Sequence, residues 1–354
     1  MDKVFCYNLL KRFLRGMRKK QGVLAMVMTT VAVIILVMAT LPSAPVTADD
    51  YENFSYRFVR LYSNVNLTDA TVNPIPGLVT WRYDLSHRVI CNGTDPFMLN
   101  IVPSAIPHFK QRTYIRNTWA DKALYPYTKM RTVFVLGKTL NATLQDLVEE
   151  EMQTYDDIIQ SNFIDTYRNL TYKSISWLSW VRDWCPEVPF VVKTDDDVLV
   201  NPFHLKTYLA KELERNAAPS DIYGRVRGKN RPMRKGKWNV TKEEYKLTYY
   251  PPFVLGPAYI VSGNAVDRLL QYAAHTPFLW LEDVYITGLV ASAASINRVQ
   301  VERTLYTKKL NRELYSRQTA FLLGANEKVK KVAWTSIVRN SPVKFASRRR
   351  RRGS

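Results

Sequence analysis

The chain has 354 residues, 51 Lys plus Arg against 31 Asp plus Glu, a formal charge of +20, 46% hydrophobic and 12% aromatic residues, and three cysteines. Its apolar and aromatic content excludes a disordered chain, three cysteines exclude a disulfide-dense scaffold, and no Gly-x-y period suggests collagen. The charge is concentrated at the ends, with seven Lys and Arg against Asp2 alone in residues 1–21 and Lys344 with Arg348 to Arg352 at the other end. The body between them carries an ordinary basic excess, so nucleic acid is not an expected partner.

In chain order, the first feature is Gly22 to Leu41, an uncharged apolar run long enough to span a bilayer as one helix. A cleaved secretory signal ending near Val46-Thr47-Ala48 is the alternative, but cleavable apolar regions are shorter. The basic flank precedes the run and Asp49, Asp50 and Glu52 follow it, which puts the amino terminus in the cytosol and the rest in the lumen. The expected organisation is a cytosolic basic tail (1–21), a transmembrane signal anchor (22–41), a stem (42–76), a lumenal domain (77–340) and a basic tail (341–354). Sequons at Asn53, Asn66, Asn92, Asn141, Asn169 and Asn239 all follow the anchor and are candidate glycan acceptors. Cys6 falls on the cytosolic side, leaving Cys91 and Cys185 as a candidate disulfide in an oxidising compartment.

Beyond the stem, short apolar runs alternate with longer amphipathic stretches, the pattern of an α/β layered domain. Strands are predicted at Phe97 to Ala105, Arg131 to Gly137 and Phe190 to Thr194. Helices are predicted to start in Thr113 to Ala120, to cover Leu144 to Asp157, and to cover Tyr172 to Asp183 with Trp177 and Trp180 facing the core. Gly224 to Lys246, rich in Arg, Lys and Gly, reads as a mobile surface loop.

Two acidic clusters carry the chemistry. Asp195, Asp196 and Asp197 directly follow the third strand, where α/β sheets bind ligands, and three adjacent carboxylates are costly without a compensating cation such as Mn²⁺ or Mg²⁺. A phosphatase of the haloacid-dehalogenase type also places paired aspartates at a strand end, but its Gly-Thr continuation is absent. The second cluster, Glu282-Asp283, follows the apolar Phe278 to Leu281. It suits a general base beside Trp280, although Asp283 would equally serve as a helix cap.

Six blocks then match a family in order: Arg112 to Trp119 (RTYIRNTW), Phe134 to Gly137 (FVLG), Tyr155 to Lys173 (YDDIIQSNFIDTYRNLTYK), Phe190 to Asn201 (FVVKTDDDVLVN), Tyr250 to Ser262 (YPPFVLGPAYIVS) and Glu282 to Gly288 (EDVYITG). Over residues 95–300 the chain resembles the β1,3-galactosyltransferase and β1,3-N-acetylglucosaminyltransferase family, glycosyltransferase family 31. The tail, anchor and stem resemble the type II architecture of Golgi glycosyltransferases.

The resemblance implies a GT-A type fold, a Rossmann-like nucleotide-binding sheet with an acceptor-binding half, and an inverting transfer of a hexose from a UDP-sugar donor to a glycan acceptor on glycoprotein or glycolipid. Asp195, Asp196 and Asp197 would form the DxD motif, with Asp196 on the donor, Asp195 on donor and metal, and Asp197 the main Mn²⁺ ligand. Arg112 and Arg116 would shape the uridine-diphosphate site, a salt bridge being their alternative role. Asp283 would be the base, with Glu282 beside it making substrate contacts. Tyr250 and Gly256 would line the acceptor site, and Trp238 and Trp280 would offer stacking faces or pack in the core. Galactose is preferred to N-acetylglucosamine as the donor sugar. His87, His108, His204 and His275 all precede Glu282, so the histidine that some relatives add to the metal shell after the base is missing. The alternative function is therefore an inactive glycan-binding protein of the same fold.

Overall fold

The computed structural model describes residues 91, 95–301, 306–307 and 319–343. The expected anchor, stem and cytosolic tail, the first residues of the expected domain, and the Arg-rich end lie outside the described residues. Among the described residues no helix is long and apolar enough to cross a membrane.

Seven strands make the central mixed sheet: β1 (Met98–Pro103), β2 (Met130–Lys138), β3 (Ile158–Ile164), β4 (Phe190–Thr194), β5 (Asp221–Gly224), β6 (Ala258–Ser262) and β7 (Asn297–Gln300). Their spatial order is β7-β5-β6-β4-β1-β2-β3, and β6 alone runs opposite to the other six. The strands β1, β2, β4 and β6 at the centre of the sheet read as largely apolar runs because both of its faces are covered there. Period-two alternation sends Leu99, Ile101, Val133, Val135 and Val191 into one core and Met98, Val102, Phe134, Leu136, Phe190 and Val192 into the other.

The helices covering these faces are α1 (Phe109–Arg116), α2 (Ala142–Tyr155), α3 (Leu170–Trp184), α4 (Pro202–Arg215), α5 (Val266–Ala273) and α6 (Glu327–Arg339). Trp177 and Trp180 of α3 are fully buried in the first core. Helix α1 begins earlier than the sequence predicts, right after Pro107-His108. It ends at Arg116, beyond which Thr118 and Ala120 fold their N–H groups back onto Ile115 O and let Trp119 bury. Strand β3 carries no clear sequence signal because its buried positions include Gln160 and Ser161. Gln160 is satisfied by donating to Gly137 O and to Gln145.

Candidate active site

From β1 the chain steps outward through β2 and β3, then returns to β4 on the other side of β1. The carboxyl ends of β1 and β4 therefore sit side by side where the winding reverses, the place such sheets bind ligands. Ser104 follows β1 and the aspartate triplet follows β4. Across the gap, Ser104 Oγ donates to Asp196 Oδ2 at 2.6 Å, and His108 Nδ1, just before α1, lies 2.7 Å from the same oxygen. Asp195 Oδ1 accepts from Lys193 Nζ at 2.6 Å. Asp197 is exposed and makes no side-chain hydrogen bond or salt bridge with a described residue.

Lys193 joins this cluster to the second one. Its buried ammonium also donates to Gly256 O at 2.7 Å and lies 3.8 Å from Glu282 Oε2. Burial alone would lower its pKa, but Asp195 and Glu282 outweigh burial and raise it, so Lys193 stays charged. Gly256 in turn donates its N–H to Asp283 Oδ2 at 3.0 Å, while Val284 N–H donates to Asp283 Oδ1 at 2.9 Å. Only glycine fits here comfortably, since a Cβ on residue 256 would sit 3.3 Å from both Cβ and Oδ2 of Asp283. Burial first, and the charge of Glu282 second, push the Asp283 carboxyl up to about 6 against the two N–H groups and Lys193. A carboxylate poised near neutrality is matched to accepting a proton.

Asp283 caps its helix through Val284 N–H, the structural role that the sequence offered for it. The helix it opens is a π-helix over Val284–Val290, with Ala291 N–H reaching back to Ile286 O. Such widened turns are uncommon and cluster at functional sites. Thr287 Oγ1 accepts from Val254 N–H at 2.8 Å and lies 2.6 Å from Asp283 O, pinning the strand before Gly256 to the turn that carries Asp283.

Three expectations need correction. Glu282 does not face a substrate: it is buried, and its Oε1 accepts from Ser174 Oγ and Tyr259 Oη while Oε2 faces Lys193. Arg112 is fully buried and spends all five N–H groups on Glu151, Ser104 Oγ, Ala105 O and Ile106 O, leaving none for a phosphate. It acts at one remove, through Ser104, on Asp196. Arg116 binds Glu151 and Asp157 between the rings of Phe134 and Tyr155. The salt-bridge role is thus the observed one for both arginines, with partners on α2 and at Asp157 rather than within their own helix.

Of the aromatic residues expected at the acceptor site, Tyr250 and Trp280 are almost fully buried, at 4% and 5% exposure, whereas Trp238 is 48% exposed. Gly256 packs directly on Asp283, and Trp238 alone of the three aromatic residues offers an open ring. Cys91 and Cys185 are bonded, with Cα atoms 5.5 Å apart. Of the sequons, Asn141 is exposed at the cap of α2, Asn169 donates its Nδ2 to Ile164 O at 2.7 Å, and Asn239 is half-buried. Asn53, Asn66 and Asn92 lie outside the described residues.

The family model described as Galactosyltransferase matches residues 110–302. Beta-1,3-galactosyltransferase 1 of Mus musculus is 36% identical over 239 residues, covering 66% of this chain and 71% of that protein. The chain belongs to the galactosyltransferase family. Beta-1,3-galactosyltransferase 5 of Homo sapiens is 34% identical over 198 residues, which is 55% of this chain and 63% of that protein, so the match spans less than two thirds of its length. A crystal structure of S. aureus TarS 1-349 aligns over 68% of this chain and 70% of that one with 16% identity and a TM-score of 0.34, a likeness too slight to carry an argument.

Several of the galactosyltransferase blocks contribute to buried ion pairs around the site, among them Arg112, Arg116, Asp157, Lys173, Lys193 and Glu282. Lys173 is one member that sequence reasoning passed over. It is buried, donates to Ser104 O at 2.6 Å and to both oxygens of Asp165, and so fixes the lip of β1 from below. Lys193 is the other, and it had a visible signal: a lone cation inside an apolar strand, two residues before an acidic triplet, must have a buried partner. Ser104, His108, Ser174 and Tyr259 carried no such mark.

Proposed function

We propose that this galactosyltransferase-family chain is an inverting enzyme that moves galactose from UDP-galactose to a glycan hydroxyl in β1,3 linkage, with N-acetylglucosamine as the alternative donor sugar. One observation carries the reading: Lys193 and Gly256 link Asp195 of the triplet to the poised Asp283 at the switch point of the sheet, and the neighbouring Asp197 has no partner among the described residues. The names of the relatives favour galactose and the β1,3 linkage. A GT-A type fold, and a Golgi membrane setting with the domain in the lumen, complete the proposal.

Asp283 takes the proton from the acceptor hydroxyl as that oxygen attacks the anomeric carbon of the donor. The bond from that carbon to the UDP oxygen breaks on the opposite face, so an α-linked donor becomes a β-linked product. Gly256 and Val284 N–H groups hold the carboxylate in place while it receives the proton. Among the described residues no three His, Cys, Asp or Glu side chains form a ready-made metal cage. The carboxylate of Asp197, without a partner among the described residues, nonetheless suits a hard divalent ion completed by diphosphate and water, with Asp195 as the other candidate ligand. Mn²⁺ or Mg²⁺ bound there would offset the charge that develops on the departing diphosphate.

The test is incubation of the full chain with UDP-galactose or UDP-N-acetylglucosamine, Mn²⁺ and a panel of glycans, following UDP release and product. Transfer from UDP-galactose is expected. No product and no UDP release with either donor would leave the inactive glycan-binding reading in its place.

A further inference from the structure

Between Arg225 and Lys246 the chain carries nine Lys and Arg against Glu243 and Glu244. The segment is stitched internally, with Arg234 donating to Val240 O, Thr241 O and Tyr245 O. It hangs directly from the catalytic wall. The short strands Val226–Arg227 and Phe253–Val254 pair at its base, Leu255 N–H closes onto Arg225 O, and the next residue is Gly256.

At the tip, Trp238 Nε1 donates to Tyr167 Oη at 2.9 Å, and the two rings are 48% and 46% exposed. Lys237 Nζ lies 4.5 Å from the Tyr167 ring centre and 5.9 Å from that of Trp238, and forms no salt bridge with a described residue. Tyr167 meets Trp280 edge-on at 6.2 Å, and Arg168 stands 4.4 Å over the Trp280 ring with Glu244 3.6 Å away. Trp280 is three residues from Asp283. Two polar atoms nearby, Tyr250 Oη and Trp280 Nε1, are buried without a hydrogen-bond partner among the described residues, and both residues are more than nine-tenths buried.

We propose that this surface is an acceptor subsite for an anionic glycan, one bearing carboxylate or sulfate groups near the hydroxyl that Asp283 deprotonates. The inference rests on the transfer reading above and narrows its acceptor class. Exposed aromatic faces suit the apolar face of a sugar ring, but they need no cations to do so. Nine like charges in one short segment repel one another, and an anion relieves that repulsion while gaining charge-assisted hydrogen bonds. Cations set beside stacking rings, rather than spread over a face, fit a ligand whose ring stacks while its acid group reaches sideways.

The experiment measures binding of two probes to the full chain in detergent micelles: a sulfated tetrasaccharide of uronic acid and hexosamine, and the same tetrasaccharide desulfated and carboxyl-reduced. Because the basic chain ends also attract a sulfated probe, the decisive readout is the comparison of wild type with the double variant Lys237→Ala, Arg168→Ala. The wild type is expected to prefer the charged probe, and the double variant to lose about tenfold in its affinity, as two exposed charge pairs allow. UDP affinity, read on the same samples, reports on the donor site separately, so a wild type that fails to bind UDP counts against the transfer reading and not against this one. Equal binding of the two probes, or a preference undiminished in the double variant, overturns the proposal. So does a double variant that loses only its binding to phosphatidylserine vesicles, which would make the patch a lipid-facing surface.

Discussion

In the triplet, Asp195 and Asp196 are held by Lys193, Ser104 and His108, and Asp197 has no partner among the described residues. In the later pair, Glu282 is the held member and Asp283 the one kept near neutrality by its surroundings. Each cluster thus contains a carboxylate held by side chains and one that no described side chain holds, and under the proposed mechanism the latter two differ in kind. Asp197 is exposed and fit for a cation, while Asp283 is partly desolvated and fit for a proton. Lys193 lies against the held members of both clusters, so one buried cation sets the spacing between the two.

The sharpest break of that comparison is Asp283→Asn, which keeps an acceptor for Gly256 N–H but removes the basic site. Transfer should fall on the order of 10³-fold while UDP affinity persists, as initial rates and nucleotide titration will report. Lys193→Met comes next, because it leaves Asp195 and Glu282 without their common counter-charge. It should cost about 2 kcal/mol in denaturant unfolding, less than a fully enclosed pair because Asp195 is partly exposed, and should impair both UDP binding and turnover. The pH profile follows. With the Asp283 carboxyl at about 6, the base is protonated and inactive below that pH, so kcat/KM should drop tenfold per unit below about 6 and level off above it. Gly256→Ala has the smallest effect. Its added Cβ crowds Asp283 at 3.3 Å, so kcat should fall roughly tenfold with the UDP affinity unchanged.

Much of the scaffold was legible because buried strands announce themselves as apolar runs. β1, β2 and β4 fall within a residue or two of where FMLNIVPSA, RTVFVLG and FVVKT predict them. β3 was hidden because its interior is partly polar, and Gln160 finds its partners on β2 and α2, far along the chain. Both acidic clusters were legible as candidates, but the division of labour within them was not. Nothing near Glu282 in sequence reveals that Ser174 and Tyr259 will occupy it. Likewise the guanidinium groups of Arg112 and Arg116 look suited to a diphosphate until Glu151 and Asp157, 35 to 41 residues away, are seen to claim them. The Arg- and Lys-rich segment after β5 read as a mobile loop by composition. Its stitching by Arg234 to three backbone carbonyls depends on a turn that composition does not encode.

The most direct test of a single shared centre is a crystal structure of the protein with UDP and Mn²⁺. The account predicts the diphosphate in the crevice between β1 and β4, against Asp197, with Asp283 facing it across an acceptor-sized gap. A nucleotide bound away from the triplet, or with Asp283 on the same side as the diphosphate, would contradict it.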